Sequence, residues 1–328
     1  MTHSRHAKSQ RSSAWRPFIL CCATLLVLPT NTGFAQEAGK LHLKSDGETV
    51  VTYNADYVPS PDKDAPYYGR SGFIHPFRTP SGRVVTDGFP ADHMHQHGLM
   101  FAWTKAKFDG HAVDFWNQKS QLGHVEHIET VQASDDRIIV RLQHGDDVSE
   151  PAVVVLQETW EIVHVPAMKI DPSLAEHVHI FDLTSTQTNV TEKPLLLPEY
   201  HYGGMCVRGP EAWAKKAGTM LTSEGKGRID GNHTRPNWAA ITGKREGELC
   251  GIAAMSHPSN FRSPQPVRLH PSLAYFCFAP MVLGDFTIEP KSPYVSRFRF
   301  VAYDGAADAS QLDLIWDAFQ LAQKEAPN

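Results

Sequence analysis

The sequence lacks the motifs of several large enzyme classes. It has only five cysteines, and no two of them form a Cys-x-x-Cys pair. It also contains no glycine-rich phosphate loop, no dinucleotide-binding fingerprint and no Gly-x-Ser-x-Gly nucleophile elbow. These absences argue against a paired-cysteine zinc domain, a nucleotide-binding protein and an α/β-type serine hydrolase.

Positive charge and long apolar runs are also scarce. The chain has 31 Lys and Arg against 36 Asp and Glu, a net charge of -5. This acidic balance argues against nucleic acid or anionic lipid as partners. After residue 35 no stretch is apolar enough to cross a membrane. We therefore expect a small-molecule or oligosaccharide substrate, no nucleic acid and no integral membrane segment.

The first residues have the composition of an export signal. Cations precede an apolar core at residues 18–28, and Gly33-Phe34-Ala35 offers small residues at a cleavage site. The sequence predicts a signal peptide at 1–35, a secreted or periplasmic location and a single domain at 36–328. The signal contains Cys21 and Cys22. It leaves three cysteines, Cys206, Cys250 and Cys277, whose pairing stays open.

Most of the remaining chain has the pattern of short β-strands. Strand-like segments recur with turn residues such as Ser134-Asp135-Asp136 between them, and Gly and Pro number 23 each. Many short strands at near-regular spacing predict an all-β fold, a large antiparallel β-sandwich.

One helix is predicted near the C-terminus. Ser310 and Asp313 resemble a capping box, and apolar residues then recur at helical spacing up to Phe319. We expect this helix to dock on the outside of the sandwich.

The densest functional signal is the segment from Asp92 to Trp103. It places His93, His95 and His97 at alternate positions before an apolar run. In an extended strand these three imidazoles would share one face. Imidazole is the commonest metal ligand and the side chain best suited to proton transfer near neutral pH.

Two kinds of chemistry fit this cluster. The three histidines could bind copper or zinc, with a carboxylate such as Asp92, Asp114 or Glu199 completing the ligand set. Alternatively, two histidines, or a histidine and Glu199, could move protons on a sugar without a metal.

Further candidates lie at predicted strand ends. Catalytic partners would be Glu199, His201 and His257, and His75 and His270 occupy similar positions. Aromatic, cationic and amide side chains suited to sugar binding are also present: Arg78, Trp103, Trp116, Tyr202, Asn260 and Arg262.

Several of these segments resemble a known family. The residues that carry the resemblance are His75-Pro76 with Arg78-Thr79-Pro80-Ser81-Gly82, Asp92-His93-x-His95 with Gly98-Leu99, Val113-Asp114-Phe115-Trp116, Tyr202-Gly203-Gly204, and His257-Pro258-x-Asn260 with Arg262 and Pro264. They are similar to uncharacterised secreted bacterial proteins labelled "methane oxygenase PmoA". In that family the cluster often reads His-Pro-His-His-Arg-Gly, so that only His93, His95 and Gly98 match it.

The layout is also similar to the galactose mutarotase-like super-sandwich of the aldose epimerases. The shared features are histidines in two separated segments and Glu289-Pro290 before a closing strand. This resemblance implies an exported protein that performs acid/base chemistry on a sugar, of epimerase, lyase or hydrolase type. A copper or zinc metalloprotein and a non-catalytic sugar-binding module are the rival hypotheses.

Overall fold

A computed structural model describes residues 39–322. The predicted signal peptide, with Cys21 and Cys22, lies outside these residues. Within them the chain is built from three antiparallel sheets and one α-helix.

The first sheet has seven strands, in the spatial order β1-β2-β3-β4-β12-β17-β16. Its strands are β1 (Lys40–Ser45), β2 (Glu48–Asn54), β3 (Phe73–Phe77), β4 (Leu99–Ala102), β12 (Gly204–Arg208), β16 (Val267–Leu269) and β17 (Tyr275–Phe278).

The second sheet has eight strands, in the order β13-β14-β15-β19-β10-β9-β8-β7. Its strands are β7 (Gly123–Ala133), β8 (Arg137–Asp146), β9 (Val153–Val165), β10 (Val178–Asn189), β13 (Thr219–Thr222), β14 (Trp238–Arg245), β15 (Glu248–Ser256) and β19 (Pro293–Asp304).

A small third sheet has the order β18-β11-β5-β6. Its strands are β5 (Ala106–Phe108), β6 (His111–Val113), β11 (Leu195–Leu197) and β18 (Phe286–Ile288). Six short 3-10 turns complete the described elements: Pro66–Tyr68, Gln118–Ser120, Ala167–Lys169, Pro172–Leu174, Glu211–Trp213 and Pro280–Leu283.

The two large sheets share one core, as the period-two pattern predicts. In β8 the buried residues Ile138, Val140 and Leu142 alternate with more exposed neighbours. Aromatic rings bridge the two sheets: the centroids of Phe77 and Phe181 lie 5.0 Å apart. The predicted all-β sandwich is confirmed.

The single described helix, α1 (Ala309–Ala322), covers the outer face of the eight-stranded sheet. Leu312, Ile315 and Phe319 are buried in a second hydrophobic cluster with residues of β14, β15 and β19. The helix was predicted, but its cap was not. Asp308 Oδ1, rather than a Ser310–Asp313 box, accepts the backbone amides of Ser310 and Gln311.

The three described cysteines, Cys206, Cys250 and Cys277, are buried free thiols. Cys206 on β12 and Cys277 on β17 are directly opposite each other in the strand register. In residues 39–322 no helix combines the length and apolarity needed to cross a membrane.

The packing of α1 gives a first testable prediction. Phe319→Ala should lower the free energy of unfolding by about 3–5 kcal/mol, because it removes a fully buried ring that contacts His257 and Arg299. Leu321→Ala, in the same helix at an exposed position, should cost less than about 0.5 kcal/mol. Urea unfolding measures both values, and equal losses would contradict this docking of the helix.

Candidate functional site

The histidine segment is a series of turns rather than a strand. Backbone bonds run from the His93 amide to Pro90 and from the Gln96 amide to the His93 carbonyl, and β4 begins only at Leu99. Gly98 has a φ of +51°, and a Cβ there would lie 2.1 Å from the Ile74 carbonyl oxygen. The prediction that three imidazoles share one strand face is therefore wrong.

The buried side chain of Arg208, from β12, holds both ends of this segment. Its Nη2 donates to Asp92 Oδ1 at 2.6 Å, and its Nη1 donates to Gln96 Oε1 at 2.8 Å. Arg208 is fully buried; its bond to Gln96 is buried as well, whereas its bond to Asp92 is partly open to solvent. The clamp fixes the turn that carries His93 and His95.

These two histidines lie at a cavity of about 210 Å³, which we call the histidine pocket. Its lining residues are His93, His95, Gln96, Trp116, Asn117, His201, Tyr202, Arg268, His270 and Tyr275. Pockets for drug-sized ligands measure about 300–1,000 Å³, so this cavity suits a smaller molecule such as one sugar ring.

Three imidazoles cluster on one side of the pocket. The His93 ring centroid lies 5.5 Å from that of His95 and 6.1 Å from that of His270. Burial, with a smaller contribution from the neighbouring His93, lowers the pKa of His95 to about 4. Burial, together with the nearby Arg268 cation, lowers the pKa of His270 to about 4 as well. Both rings are therefore neutral at pH 7.

The tautomer of His270 is set by the backbone. Its Nδ1 accepts hydrogen bonds from the amides of Ser272 at 3.2 Å and Leu273 at 3.0 Å. A backbone amide can only donate, so Nδ1 has no proton and the neutral ring carries its hydrogen on Nε2. The Nε2–H group of His270 can therefore donate a hydrogen bond, whereas its Nδ1 already accepts from the backbone.

The opposite wall of the pocket depends on Asp114. Its Oδ1 accepts the backbone amides of Trp116 and Asn117, and its Oδ2 accepts the side-chain amide of Asn117 at 2.8 Å. Asn117 Oδ1 in turn accepts the Tyr202 hydroxyl at 3.2 Å. Burial raises the pKa of Tyr202 to about 12, so its hydroxyl remains a donor. Asp114 therefore positions other side chains and does not enter the pocket itself.

Arg268 supplies the positive charge of the pocket. Its Nη1 donates to the amide oxygen of Asn232 at 3.1 Å. Its charge also lowers the pKa of His201, in addition to the larger effect of burial. No residue lining the pocket is Asp or Glu. The pocket thus combines neutral imidazoles with a cation and has no carboxylate in its lining.

His97 faces away from the pocket. It is fully buried, with Nδ1 2.9 Å from the Gly88 carbonyl oxygen and Nε2 2.8 Å from Gln118 Oε1. Both of its nitrogens are already engaged. No group of three or more His, Cys, Asp or Glu side chains in residues 39–322 is placed to hold a metal ion. The predicted copper or zinc site of His93, His95 and His97 does not fit this arrangement.

Two other predicted catalytic residues lie outside the pocket lining. Glu199 is exposed, and its backbone amide donates to Asp285 Oδ1 at 2.6 Å. His257 is buried against Phe319 of α1, with a ring distance of 5.0 Å, and its Nδ1 accepts the Ser259 amide. His257 stabilises the junction of loop and helix.

Four of the predicted substrate-binding residues are structural instead. Trp103 is fully buried and donates to Gln187 Oε1 at 2.6 Å. Arg78 donates to the Gly82 carbonyl in its own turn. Asn260 and Arg262 each bind backbone groups of neighbouring segments, including the Arg297 amide and the Pro280 carbonyl respectively. The polar side chains of Arg78, Asn260 and Arg262 thus satisfy backbone groups of loops rather than a ligand.

The structure brings together part of the predicted set and adds residues that were missed. The predicted members are His93, His95, Trp116, His201 and Tyr202, and His270 was noted among the strand-end histidines. The missed members are Gln96, Asn117, Arg268 and Tyr275. Asn117 could have been found from Asp114, because Asp at the start of a turn often binds the amides that follow it.

A family model, described as a family of unknown function (DUF6807), matches residues 40–317. No curated protein matches the chain. Two solved structures are similar at low identity, and the chain spans about a third of the length of each. Heparan sulfate lyase HepC from Pedobacter heparinus has 8% identity and a TM-score of 0.37, with 79% of this chain and 33% of that chain covered. The alpha-galactosidase from Lactobacillus brevis has 9% identity and a TM-score of 0.35, with 79% and 35% covered.

These matches leave the two resemblances seen in the sequence as predictions. The family description carries no activity, and neither structure is named as a mutarotase or an oxygenase. A TM-score below 0.5 supports no inference about the site.

The burial of His97 gives a testable pH dependence. Burial lowers its pKa from 6.5 to about 3 in the folded protein. As the pH falls below 6.5, the unfolded chain binds a proton at this position and the folded chain does not. The free energy of unfolding should therefore fall by up to about 1.4 kcal/mol per pH unit from this residue. His97→Gln should show a correspondingly shallower slope over this range in denaturant titrations, and an identical slope would contradict the assignment.

Proposed function

The chain belongs to DUF6807, a family of unknown function, and we propose that it is an enzyme that moves protons on a sugar in the histidine pocket. The observation that carries this proposal is the composition of the pocket. Neutral imidazoles, one cation, and hydrogen-bonding amide and phenol groups line a cavity of about 210 Å³.

Two partly buried imidazoles have complementary roles in this proposal. His270 presents its Nε2 hydrogen, because the Ser272 and Leu273 amides occupy Nδ1. His95 is neutral at pH 7 and retains a lone pair. His95 can therefore act as the general base, and the Nε2–H group of His270 can donate a hydrogen bond to an oxygen that becomes negative.

We propose the following steps. His95 takes a proton from a carbon next to a carbonyl or carboxyl group, and the C–H electron pair moves toward that oxygen. Arg268 stabilises the negative charge that develops there. The Nε2–H group of His270 donates a hydrogen bond to the same oxygen. Protonated His95 then gives its proton to a leaving oxygen on the next carbon, which is elimination; alternatively, a water molecule protonates the opposite face of the same carbon and the resulting hydroxide takes the proton from His95, which is epimerisation.

Canonical glycoside hydrolysis is less consistent with this pocket. That reaction commonly uses two carboxyl groups on either side of the glycosidic bond. The pocket lining contains none, and the nearby Asp92 is bound to Arg208. Within the range of sugar chemistry predicted from the sequence, the epimerase and lyase types are therefore favoured.

A non-catalytic sugar-binding module is the second candidate. Its supporting observation is the contact of Trp116 with Tyr202 and Tyr275, at ring distances of 5.3 and 6.0 Å. However, Trp116 is only 1% exposed and offers little open face for stacking on a sugar. Binding without turnover in the experiment below would favour this candidate.

The proposal is tested by incubating the protein in D2O with a panel of hexoses, hexuronates and their disaccharides. Proton abstraction incorporates deuterium at a carbon position or yields an unsaturated sugar, and NMR detects both. His95→Gln and His270→Gln should each lower the rate by about 10²–10⁴-fold. The matched control is His177→Gln, an exposed histidine outside the pocket, which should retain the wild-type rate.

The pH profile gives a second readout of the same experiment. With a His95 pKa of about 4, kcat/KM should fall as the pH drops through that value, because protonated His95 has no lone pair to accept a proton. Equal rates in the wild type and both pocket variants, or sugar cleavage with neither deuterium exchange nor an unsaturated product, would refute the proposal.

A further inference from the structure

A second, larger cleft lies beside the histidine pocket. It measures about 490 Å³, and its lining includes Tyr57, Tyr67, Arg70, Gln118 and Gln121. We call it the Arg70 cleft. None of the functional roles described above uses it.

Residues adjacent in the chain line the two cavities. Asn117 lines the histidine pocket, and the next residue, Gln118, lines the Arg70 cleft. In the same way, Tyr67 lines the Arg70 cleft, and Tyr68 places its ring 6.3 Å from that of His95. Consecutive Cα atoms are about 3.8 Å apart, so adjoining units of one ligand could occupy both cavities.

Arg70 is an unusual side chain for a cleft wall. It is 3% exposed, and its Nε and Nη2 atoms are buried without a hydrogen-bond partner among the residues that the structure describes. Burial lowers its pKa to about 10, so it remains a cation at neutral pH. A buried cation with unsatisfied donors is costly unless an anion binds it.

The nearest compensating charge, Glu158, is already engaged. It interacts with Arg70 through space and raises the arginine pKa, against the larger effect of burial. The carboxylate of Glu158 accepts hydrogen bonds from four other side chains, those of His144, Trp160, Ser185 and Gln187. Glu158 therefore balances part of the charge but leaves the Arg70 donors free.

The two carboxylates that line the cleft are also engaged. Asp147 Oδ1 lies 2.8 Å from His124 Nδ1, and Glu126 Oε1 accepts Gln143 Nε2 at 2.6 Å. The guanidinium of Arg70 is therefore the group in this cleft that still lacks partners. A planar guanidinium binds carboxylate and sulfate groups through two parallel hydrogen bonds.

The remaining lining suits a sugar that carries such a group. Tyr57 is 61% exposed and offers an aromatic ring, and the amide of Gln121 can bind hydroxyl groups. We propose that the Arg70 cleft binds the carboxylate or sulfate group of a sugar unit adjoining the one in the histidine pocket. This inference rests on the proposed function for its substrate class, and it makes the substrate an anionic oligosaccharide.

The test is calorimetric titration of the protein with a uronate disaccharide, the matching neutral disaccharide and inorganic sulfate. The uronate disaccharide should bind at least ten-fold more tightly than the neutral one. Arg70→Gln should remove this preference. Because Arg70 is buried and its replacement affects folding, Gln121→Glu provides a second variant, which adds a repelling charge at an exposed position in the cleft. Gln132→Glu adds the same charge at an exposed position outside it and should leave the preference unchanged.

Each outcome decides the proposal. Equal affinity for the two disaccharides, or a preference that survives Gln121→Glu, would overturn it. Binding of sulfate without binding of the uronate disaccharide would reduce the cleft to a site for free anions and also overturn it. Loss of the preference in the cleft variants without turnover of any sugar would support the cleft and refute the proposed function. Turnover that depends on His95 but not on Arg70 would support the proposed function and refute the role of the cleft.

Discussion

The clamp formed by Arg208 is the interaction on which the site depends. This fully buried cation binds Asp92 at one end of the histidine turn and Gln96 at the other. Removing Asp92 would leave the buried Arg208 cation without its carboxylate partner, which favours the observed geometry. With both ends fixed, the histidines between them face the cavity, whereas His97, just beyond the clamp, turns into the core.

The same arrangement determines the electrostatics of the pocket. Arg208 and Arg268 both disfavour protonation of His270, and burial disfavours it most. The imidazoles are therefore neutral near pH 7, and the cations remain to attract a negatively charged group. In the adjoining cleft Arg70 is a buried cation whose Nε and Nη2 lack partners among the described residues, and the carboxylates of Glu126 and Asp147 also line that cleft.

The sequence predicted the architecture well because strands and helices leave local patterns. Period-two alternation identified β8, and helical spacing of Leu312, Ile315 and Phe319 identified α1. The same logic failed for the histidine segment. Its conformation is set by Gly98 in the left-handed region and by Arg208, which lies 116 residues from Asp92, and a period of two carries no information about either.

The site was predicted only in part for a related reason. His93 and His95 were found because histidines are dense there, but Arg268 and Tyr275 reach the pocket through the pairing of β16 with β17. Conversely, His257, Asn260 and Arg262 look functional in the sequence, since polar residues cluster among prolines. In the structure they satisfy the backbone groups of a loop, which composition alone cannot distinguish from binding a ligand.

The most direct test of the account is NMR of the imidazole nitrogens at pH 7. Long-range ¹H–¹⁵N spectra report the protonation and the tautomer of each ring, and His95→Gln and His270→Gln assign the signals. The account predicts a neutral His95 and a neutral His270 with its hydrogen on Nε2. An imidazolium at either position, or a His270 with its hydrogen on Nδ1, would contradict the proposed roles of His95 as the proton acceptor and of the His270 Nε2–H group as a hydrogen-bond donor to the substrate oxygen.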